Sequence, residues 1–95
     1  MSKKSIIQPE LDKCYVCGAV RDLEIHHAMH GKANRAIADR YSLVVALCAD
    51  HHRGRFGVHS DAELDKRIKQ DAQRAFSNIY GRSLWMRLFR KNYLD

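Results

Sequence analysis

Apolar and polar residues alternate along one short segment of the chain, and a second short segment is almost wholly apolar. In residues 23–26 (Leu-Glu-Ile-His), every second side chain is apolar, which predicts a short half-buried strand. Residues 43–47 (Leu-Val-Val-Ala-Leu) are rich in β-branched side chains, which predicts a second strand. Between them, residues 35–41 predict a brief helix with Asn34 as its N-cap. Residues 49–53 predict another short helix, ended by the glycines that follow.

A longer apolar period follows Ser60 and predicts an amphipathic helix. Its apolar positions recur every three or four residues: Leu64, Ile68, Ala72, Phe76 and Ile79. Ser60 and Glu63 have the spacing of a capping box, and Gly81 stands where a helix C-cap belongs. Ser83 is then expected to cap a last short helix with Trp85 on its apolar side. The stripe is expected to pack over the sheet as core, and a dimer interface is the alternative.

The chain length of 95 residues fits one domain and leaves no room for a second core. We expect residues 1–12 to form an N-terminal arm and residues 13–95 to form the domain. Within it, residues 13–59 would hold the strands and the Cys/His clusters, and residues 60–95 the C-terminal helices. Because a domain of this size buries a small share of its surface, its stability is marginal without a disulfide, a metal or a partner chain.

The composition adds a basic charge and an odd number of cysteines. A formal charge of +6 favours a nucleic-acid partner over a membrane, since the sequence has no apolar span, although a soluble basic surface is the alternative. Three cysteines fit a disulfide scaffold poorly. The first residues lack the apolar stretch of a secretion signal, so we expect a cytoplasmic protein whose cysteines bind metal.

Three cysteines and one histidine have the spacing of a structural zinc site. Cys14 and Cys17 form a Cys-x-x-Cys knuckle, and Cys48 and His51 repeat that spacing at the start of a predicted helix. Three thiolates and one imidazole make a complete tetrahedral zinc set. Residues three apart on a helix share a face, so Cys48 and His51 can reach one ion. The alternative is that the cysteines are ordinary buried side chains.

Two histidine doublets remain, at positions 26–27 and 51–52. Neighbouring residues point to opposite faces of a strand and diverge by about 100° on a helix, so the members of each doublet should have different roles. We expect His26 and His52 to bind a catalytic divalent metal, with His59 as a third ligand. His27 then stays free as a general base. His30 stands alone in a loop, where an ordinary surface histidine is expected.

The order of these residues resembles the HNH (ββα-metal) endonuclease family: a strand ending in His26-His27, a loop, a second strand, and the run from Leu47 to His52. The continuation Gly57-Val58-His59 is similar to phage and prophage members, such as the RecA-dependent recombination-enhancement nuclease and YbcO-like proteins. The resemblance implies an α+β fold with a small ββα-metal core, a zinc knuckle, a two-stranded antiparallel sheet and C-terminal helices. It departs at the central Asn of the motif, where this chain has Leu43 after Ser42; Ser42 or Asn34 is the candidate replacement.

The resemblance also implies a function. It implies a metal-dependent endonuclease that hydrolyses phosphodiester bonds in DNA and leaves 5′-phosphate and 3′-hydroxyl ends, in phage or prophage recombination or DNA processing within a bacterial cell. The cofactors would be a structural Zn²⁺ and a catalytic Mg²⁺, Mn²⁺ or Zn²⁺. The partners would be DNA and, as a further candidate, a recombinase filament, with the protein a monomer or a homodimer.

Basic residues near the histidine doublets are candidates for contacts with DNA phosphates. They are Lys32, Arg35, Arg53 and Arg55. The rival function is a non-catalytic zinc module that binds nucleic acid or a recombination protein. The rival accounts for the charge and the four zinc ligands, but it leaves His26, His27 and His52 without a role.

Overall fold

The structure, a computed structural model, describes residues 4–55 and 57–94. Within these residues the elements are, in chain order, β1 (Leu23–His27), α1 (Lys32–Arg40), β2 (Val44–Cys48), α2 (Ala49–His52), α3 (Ala62–Tyr80) and α4 (Arg82–Phe89). Each predicted strand and helix is present, with bounds that differ from the prediction by no more than three residues. The protein is thus a small α+β fold with helices and a two-stranded antiparallel sheet.

The two strands pair antiparallel, with Leu23 opposite Cys48 and His27 opposite Val44. All five residues of β2 are buried, as its apolar run predicted. In β1 the buried residue is His26, whereas Ile25 is 36% exposed. The alternation therefore identified the strand, but the more deeply buried face is the one that carries Glu24 and His26. That face lies towards α2, whose His52 bonds Glu24.

Residues 5–8 of the predicted N-terminal arm lie along the outer edge of β2. The Ser5 hydroxyl donates to the carbonyl of Val44, and the backbone N–H of Ile6 donates to the carbonyl of Ser42. The buried side chain of Gln8 accepts from the backbone N–H of Ala46 at 2.8 Å. This part of the arm is therefore attached to the domain, where it satisfies the free edge of the sheet.

Two helices begin directly after glycines, and neither begins at the predicted cap. Gly31 precedes α1 with φ 93°, a left-handed conformation that favours glycine, so Asn34 lies inside the first turn and the Asn34 cap was wrong. Gly81 precedes α4 with the same φ of 93°, so the Ser83 cap was also wrong. The predicted role of Gly81 at the end of α3 is confirmed, because its N–H donates to the carbonyl of Ser77.

The N-cap of α3 is Asp61, one residue after the predicted Ser60. Its carboxylate accepts from the backbone N–H groups of Glu63 at 3.0 Å and Leu64 at 3.2 Å. One carboxylate can satisfy two of the unpaired N–H groups of a first turn and also interacts favourably with the helix dipole. The Ser60 capping box was therefore wrong by one position.

The apolar stripe of α3 enters the core over most of its length. Ile68, Ala72 and Phe76 are fully buried in one cluster with the apolar residues of β2 and α4. These side chains are therefore buried in the protein's own core, which leaves them unavailable for the alternative, a dimer interface. The prediction was wrong for Ile79, which is 57% exposed. Among the described residues, no helix combines the length and apolar character needed to cross a bilayer.

Candidate metal centres

The first cluster brings together a turn and the junction between β2 and α2. In the turn, the N–H of Gly18 donates to the carbonyl of Cys14, and Gly18 has φ 78°, which favours glycine. This geometry turns Cys14 and Cys17 towards the same side. Cys48 ends β2, and His51 lies one helical turn later in α2. The predicted set of four therefore meets in space.

The ligand atoms of this thiolate cluster have the spacing of a tetrahedral metal site. The Sγ atoms of Cys17 and Cys48 are 3.8 Å apart, and Nδ1 of His51 lies 3.3 Å from Sγ of Cys48. All four ligand atoms, including Sγ of Cys14, lie within 4.8 Å of one another. Sulfurs bound tetrahedrally at about 2.3 Å from zinc are themselves about 3.8 Å apart. The four residues lie close enough to bind a metal, and their chemistry is compatible with a structural zinc.

The electrostatics of the cluster also favour a cation. Burial acts to raise the pKa of Cys14, but hydrogen bonds from the backbone of Cys48 and Cys17 outweigh it and lower the pKa to about 6. The backbone N–H of His51 lowers the pKa of Cys48, but burial and the neighbouring sulfurs outweigh it and raise this pKa. Ionising these neighbouring thiols together therefore costs free energy, and a bound cation would offset that cost.

The second cluster is centred on His26 at the end of β1. This residue is only 3% exposed, and its Nε2 atom has no hydrogen-bond partner among the described residues. The ring centroids of His52 and His59 lie 5.2 and 5.6 Å away. One nitrogen of each of these three imidazoles lies within 4.8 Å of the others. A buried imidazole nitrogen without a partner is costly, and a metal ion in this histidine cluster would satisfy it.

The ring of His26 is held in its neutral form. Burial is the main cause that lowers its pKa to about 3, and the nearby His52, His30 and His59 lower it further. Neutral imidazole is the form that binds metals, because the lone pair is then free. The predicted ligand His26 is therefore in the protonation state that the role requires.

His52 is oriented by a carboxylate from the facing strand. Its Nδ1 lies 2.6 Å from Oε1 of Glu24, which also accepts from Nε of Arg53 at 3.0 Å. The hydrogen bonds from His52, and then those from Arg53, lower the pKa of Glu24, so this group is an ionised acceptor. Nδ1 of His52 must therefore donate, which leaves Nε2 as the nitrogen that can bind a metal. A carboxylate behind a histidine is a common arrangement in metal sites.

His27 points away from His26, as the strand geometry predicted. Its Nε2 lies 3.0 Å from Oδ1 of Asp39 in α1. It lines a cavity of about 300 Å³ together with His26, His52 and His59, here called the histidine cavity. It also lines a neighbouring cavity of about 570 Å³ with Lys32, Arg35 and Asp39. The predicted base and the three predicted metal ligands thus share one cavity.

The structure places two further side chains beside the histidine cluster: His30, where an ordinary surface histidine was expected, and Asp65. Nε2 of His30 lies 2.7 Å from Oδ1 of Asp65, and the His30 ring lies 5.4 Å from the ring of His26. These three residues form a further group with ligand atoms within 4.8 Å of one another. Asp65 lies in the first turn of α3, so no short-range pattern could have linked it to His30.

The four predicted phosphate contacts lie in different surroundings. Lys32 and Arg35 line the cavity beside His27, and Arg35 also borders the histidine cavity. Arg53 forms an ion pair with Glu24, and Arg55 is exposed in the turn after α2.

Comparison of the chain with protein-family models, with curated proteins and with solved structures finds no match.

Proposed function

We propose that the chain is an HNH-type (ββα-metal) endonuclease that hydrolyses phosphodiester bonds in DNA, in phage or prophage recombination or DNA processing. The observation that carries this proposal is the surroundings of His26. Its buried Nε2 has no hydrogen-bond partner among the described residues, and two further imidazoles lie beside its ring. His27, from the opposite face of β1, lines the same cavity. The thiolate cluster uses none of these side chains, so a purely structural zinc module leaves them unexplained.

The catalytic ion would be held by His26, His52 and His59. A divalent ion held there would supply Lewis-acid chemistry: it would polarise a phosphodiester oxygen and offset the charge that develops on the leaving 3′-oxygen. Imidazole nitrogens suit Zn²⁺ and similar transition metals better than Mg²⁺, which prefers oxygen ligands. A nitrogen-only set therefore makes it necessary to compare Mg²⁺, Mn²⁺ and Zn²⁺ in the assay.

His27 acts as the general base in this proposal. We assign the proton of the His27 ring to Nε2, which lies 3.0 Å from the carboxylate oxygen of Asp39, so Nδ1 is left to take a proton from the attacking water. Asp39 fixes the ring and its tautomer, and it stabilises the imidazolium that forms. It can therefore take over the orienting task of the central Asn that this chain lacks, in place of Ser42 or Asn34.

Positive charge beside the base supports substrate binding. Lys32 and Arg35 line the cavity next to His27, where they can hold DNA phosphates on one side of the scissile bond. Arg53 has a different task, since it holds Glu24 against His52. We therefore assign phosphate binding to Lys32 and Arg35 ahead of Arg53.

A plasmid-nicking assay tests the proposal. Protein with a measured zinc content is incubated with supercoiled plasmid and Mg²⁺, Mn²⁺ or Zn²⁺, with EDTA as the control. We expect nicking that depends on added metal and stops with EDTA. DNA binding without nicking in any of the metals would overturn the enzyme and favour the rival, a non-catalytic zinc module that binds nucleic acid or a recombination protein.

A further inference from the structure

A second basic cavity adjoins the histidine cavity, because its Asp65 bonds His30 of that cavity. Its volume is about 450 Å³. It is lined by Asp65, Lys66, Lys69, Lys91, Asn92 and Tyr93, and is here called the lysine cavity. We infer that the lysine cavity is a subsite that binds a phosphate of the DNA strand adjacent to the phosphate that is cut. This inference rests on the proposed function, since it places the strand relative to the histidine cavity.

One carboxylate joins the two cavities. Oδ1 of Asp65 lies 2.7 Å from Nε2 of His30, whose ring packs beside His26. Oδ2 of the same group lies 2.8 Å from Nζ of Lys69. The lysine cavity therefore begins directly behind the imidazoles of the histidine cavity. A strand that crosses the histidine cavity reaches the lysine cavity next.

The lining carries an excess of positive charge. Among the described residues that line the cavity, three lysines face one carboxylate. Asp65 is already bonded to Lys69 and His30, so its charge is balanced locally. Lys66 and Lys91 are exposed to solvent and supply the remaining positive potential. This potential attracts an anion, and phosphate is the anion that repeats along a DNA strand.

The positions of the ammonium groups are fixed by an aromatic ring. Nζ of Lys91 lies 5.2 Å from the centroid of the Tyr93 ring, and Nζ of Lys69 lies 5.6 Å from it. These are cation–π distances. Because the two ammonium groups approach the ring, Tyr93 positions the lysines rather than stacking on a DNA base.

The segment that carries Lys91 and Tyr93 is tied to the helices. The backbone N–H of Tyr93 donates to Oε1 of Gln73 at 2.7 Å, and Nε2 of Gln73 donates to Asn92 at 2.8 Å. Nε1 of Trp85 donates to the carbonyl of Lys91 at 2.8 Å. Gln73 and Trp85 are both fully buried. The fold thus uses buried polar groups to hold this lysine in place, which lowers the entropy lost when a phosphate binds.

The subsite completes a path across the protein surface. The histidine cavity shares His27 and Arg35 with the cavity that Lys32 lines. Its His30 bonds Asp65 of the lysine cavity, so it adjoins both basic cavities. In the subsite that we infer, one strand contacts both basic cavities and presents a phosphate to the histidines between these contacts. Contacts on both sides orient the scissile bond without reading the sequence.

Fluorescence anisotropy with a labelled DNA duplex tests the subsite. Both proteins in the comparison carry His27→Ala, which prevents cleavage of the probe. One has no further change, and the other also carries Lys66→Gln and Lys91→Gln. We expect the double change to weaken binding about tenfold at physiological salt. It should also reduce the slope of log K against log salt by about 1, the value for one lost phosphate contact.

A matched control removes the same charge elsewhere. Lys13→Gln with Arg21→Gln changes two exposed basic residues beside the thiolate cluster. We expect this pair to alter affinity less than about twofold and to leave the salt slope unchanged. Equal effects of the two double variants would mean that only total charge matters, and that result would overturn the subsite. Lys66→Glu alone, on the exposed side of α3, gives an independent test if the double variant is unstable.

The outcomes separate this inference from the proposed function. Metal-dependent nicking combined with unchanged DNA binding by the Lys66/Lys91 variant would overturn the subsite and leave the nuclease intact. Loss of binding in that variant, with no nicking by the wild-type protein, would support the subsite and overturn the nuclease.

Discussion

Each histidine doublet divides its two side chains between different surroundings. His26 is buried among imidazoles while His27 bonds Asp39, and His51 faces the thiolates while His52 bonds Glu24. The backbone alone enforces this division, because neighbouring residues on a strand or a helix cannot point in one direction. Two adjacent histidines on one strand or helix can therefore contribute to two different sites.

His27→Ala tests the role of the base at the level of one residue. We expect the nicking rate to fall at least about 100-fold, since general base catalysis contributes on that scale. Zinc content and circular dichroism should stay unchanged, because His27 is not one of the thiolate-cluster ligands and its ring bonds the half-exposed carboxylate of Asp39. A variant that nicks plasmid at the wild-type rate would show that another group takes the proton.

Acid should destabilise the fold through His26. Its pKa falls from 6.5 to about 3 on folding. Between these two pH values the unfolded chain binds a proton at His26 and the native protein does not. The stabilisation is complete above pH 6.5 and is lost as the pH falls towards 3. The free energy of unfolding should drop by up to about 1.4 kcal/mol per pH unit from this group.

Urea unfolding without added metal measures this dependence. The wild-type protein and His26→Gln are compared at several pH values between about 6.5 and 4. Both proteins keep the thiolate cluster, so the difference between their slopes isolates His26. A wild-type curve parallel to that of the variant would mean that position 26 does not resist protonation.

At the scale of elements, helix ends depend on backbone conformation as much as on polar side chains. Gly31 and Gly81 both have φ 93°, and each precedes a helix without a side-chain cap. A search for Ser or Asn therefore finds neither of these starts. In contrast, α3 begins with a carboxylate cap at Asp61, which reaches two N–H groups.

Asp61→Ala should destabilise the protein by about 1 kcal/mol, since it leaves two N–H groups of α3 without their acceptor. Chemical unfolding of the two proteins gives this difference directly. Ser60→Ala is the matched control at the neighbouring position, and we expect a change near zero. A larger loss from Ser60→Ala than from Asp61→Ala would restore the capping box that the sequence suggested.

At the scale of the whole molecule, α2 links the two clusters. Cys48 and His51 bring the start of this helix to the thiolate cluster, and the next residue, His52, enters the histidine cluster. A metal bound by the thiolates would therefore also fix the position of His52. Zinc binding contributes on the order of 10 kcal/mol to the folding of small domains, which is large compared with the stability of a chain of this size.

Cys48→Ser should lose bound zinc and soluble yield together, because serine is a poor zinc ligand and the thiolate cluster joins the turn to α2. Zinc content per protein by elemental analysis checks this expectation. Val16→Ser, at an exposed position in the same turn, is the control and should keep its metal. Full zinc occupancy in Cys48→Ser would contradict the shared site.

Much of the candidate site could be predicted because its signals are local. The spacing of Cys14, Cys17, Cys48 and His51 predicted a group that does meet in space. The divergence within each doublet followed from strand and helix periodicity. His59 was also predicted, as the third ligand of the catalytic metal, and the structure places its ring 5.0 Å from that of His52.

The remaining features depend on residues that are distant in sequence. Asp65 meets His30 from 35 positions away, and Glu24 meets His52 from 28 positions away. The alternation in β1 also could not show that the face with His26 is the more deeply buried one, because α2 decides which side is covered.

The sequence by itself determined the elements, the four thiolate-cluster ligands and the opposite directions of adjacent histidines, since these follow from short-range periodicity and backbone geometry. Only the tertiary structure decided which carboxylates bond the imidazoles and where the lysine cavity lies. The physical reason is that hydrogen bonds and ion pairs depend on distances of a few ångströms, and packing alone brings residues from separate elements that close.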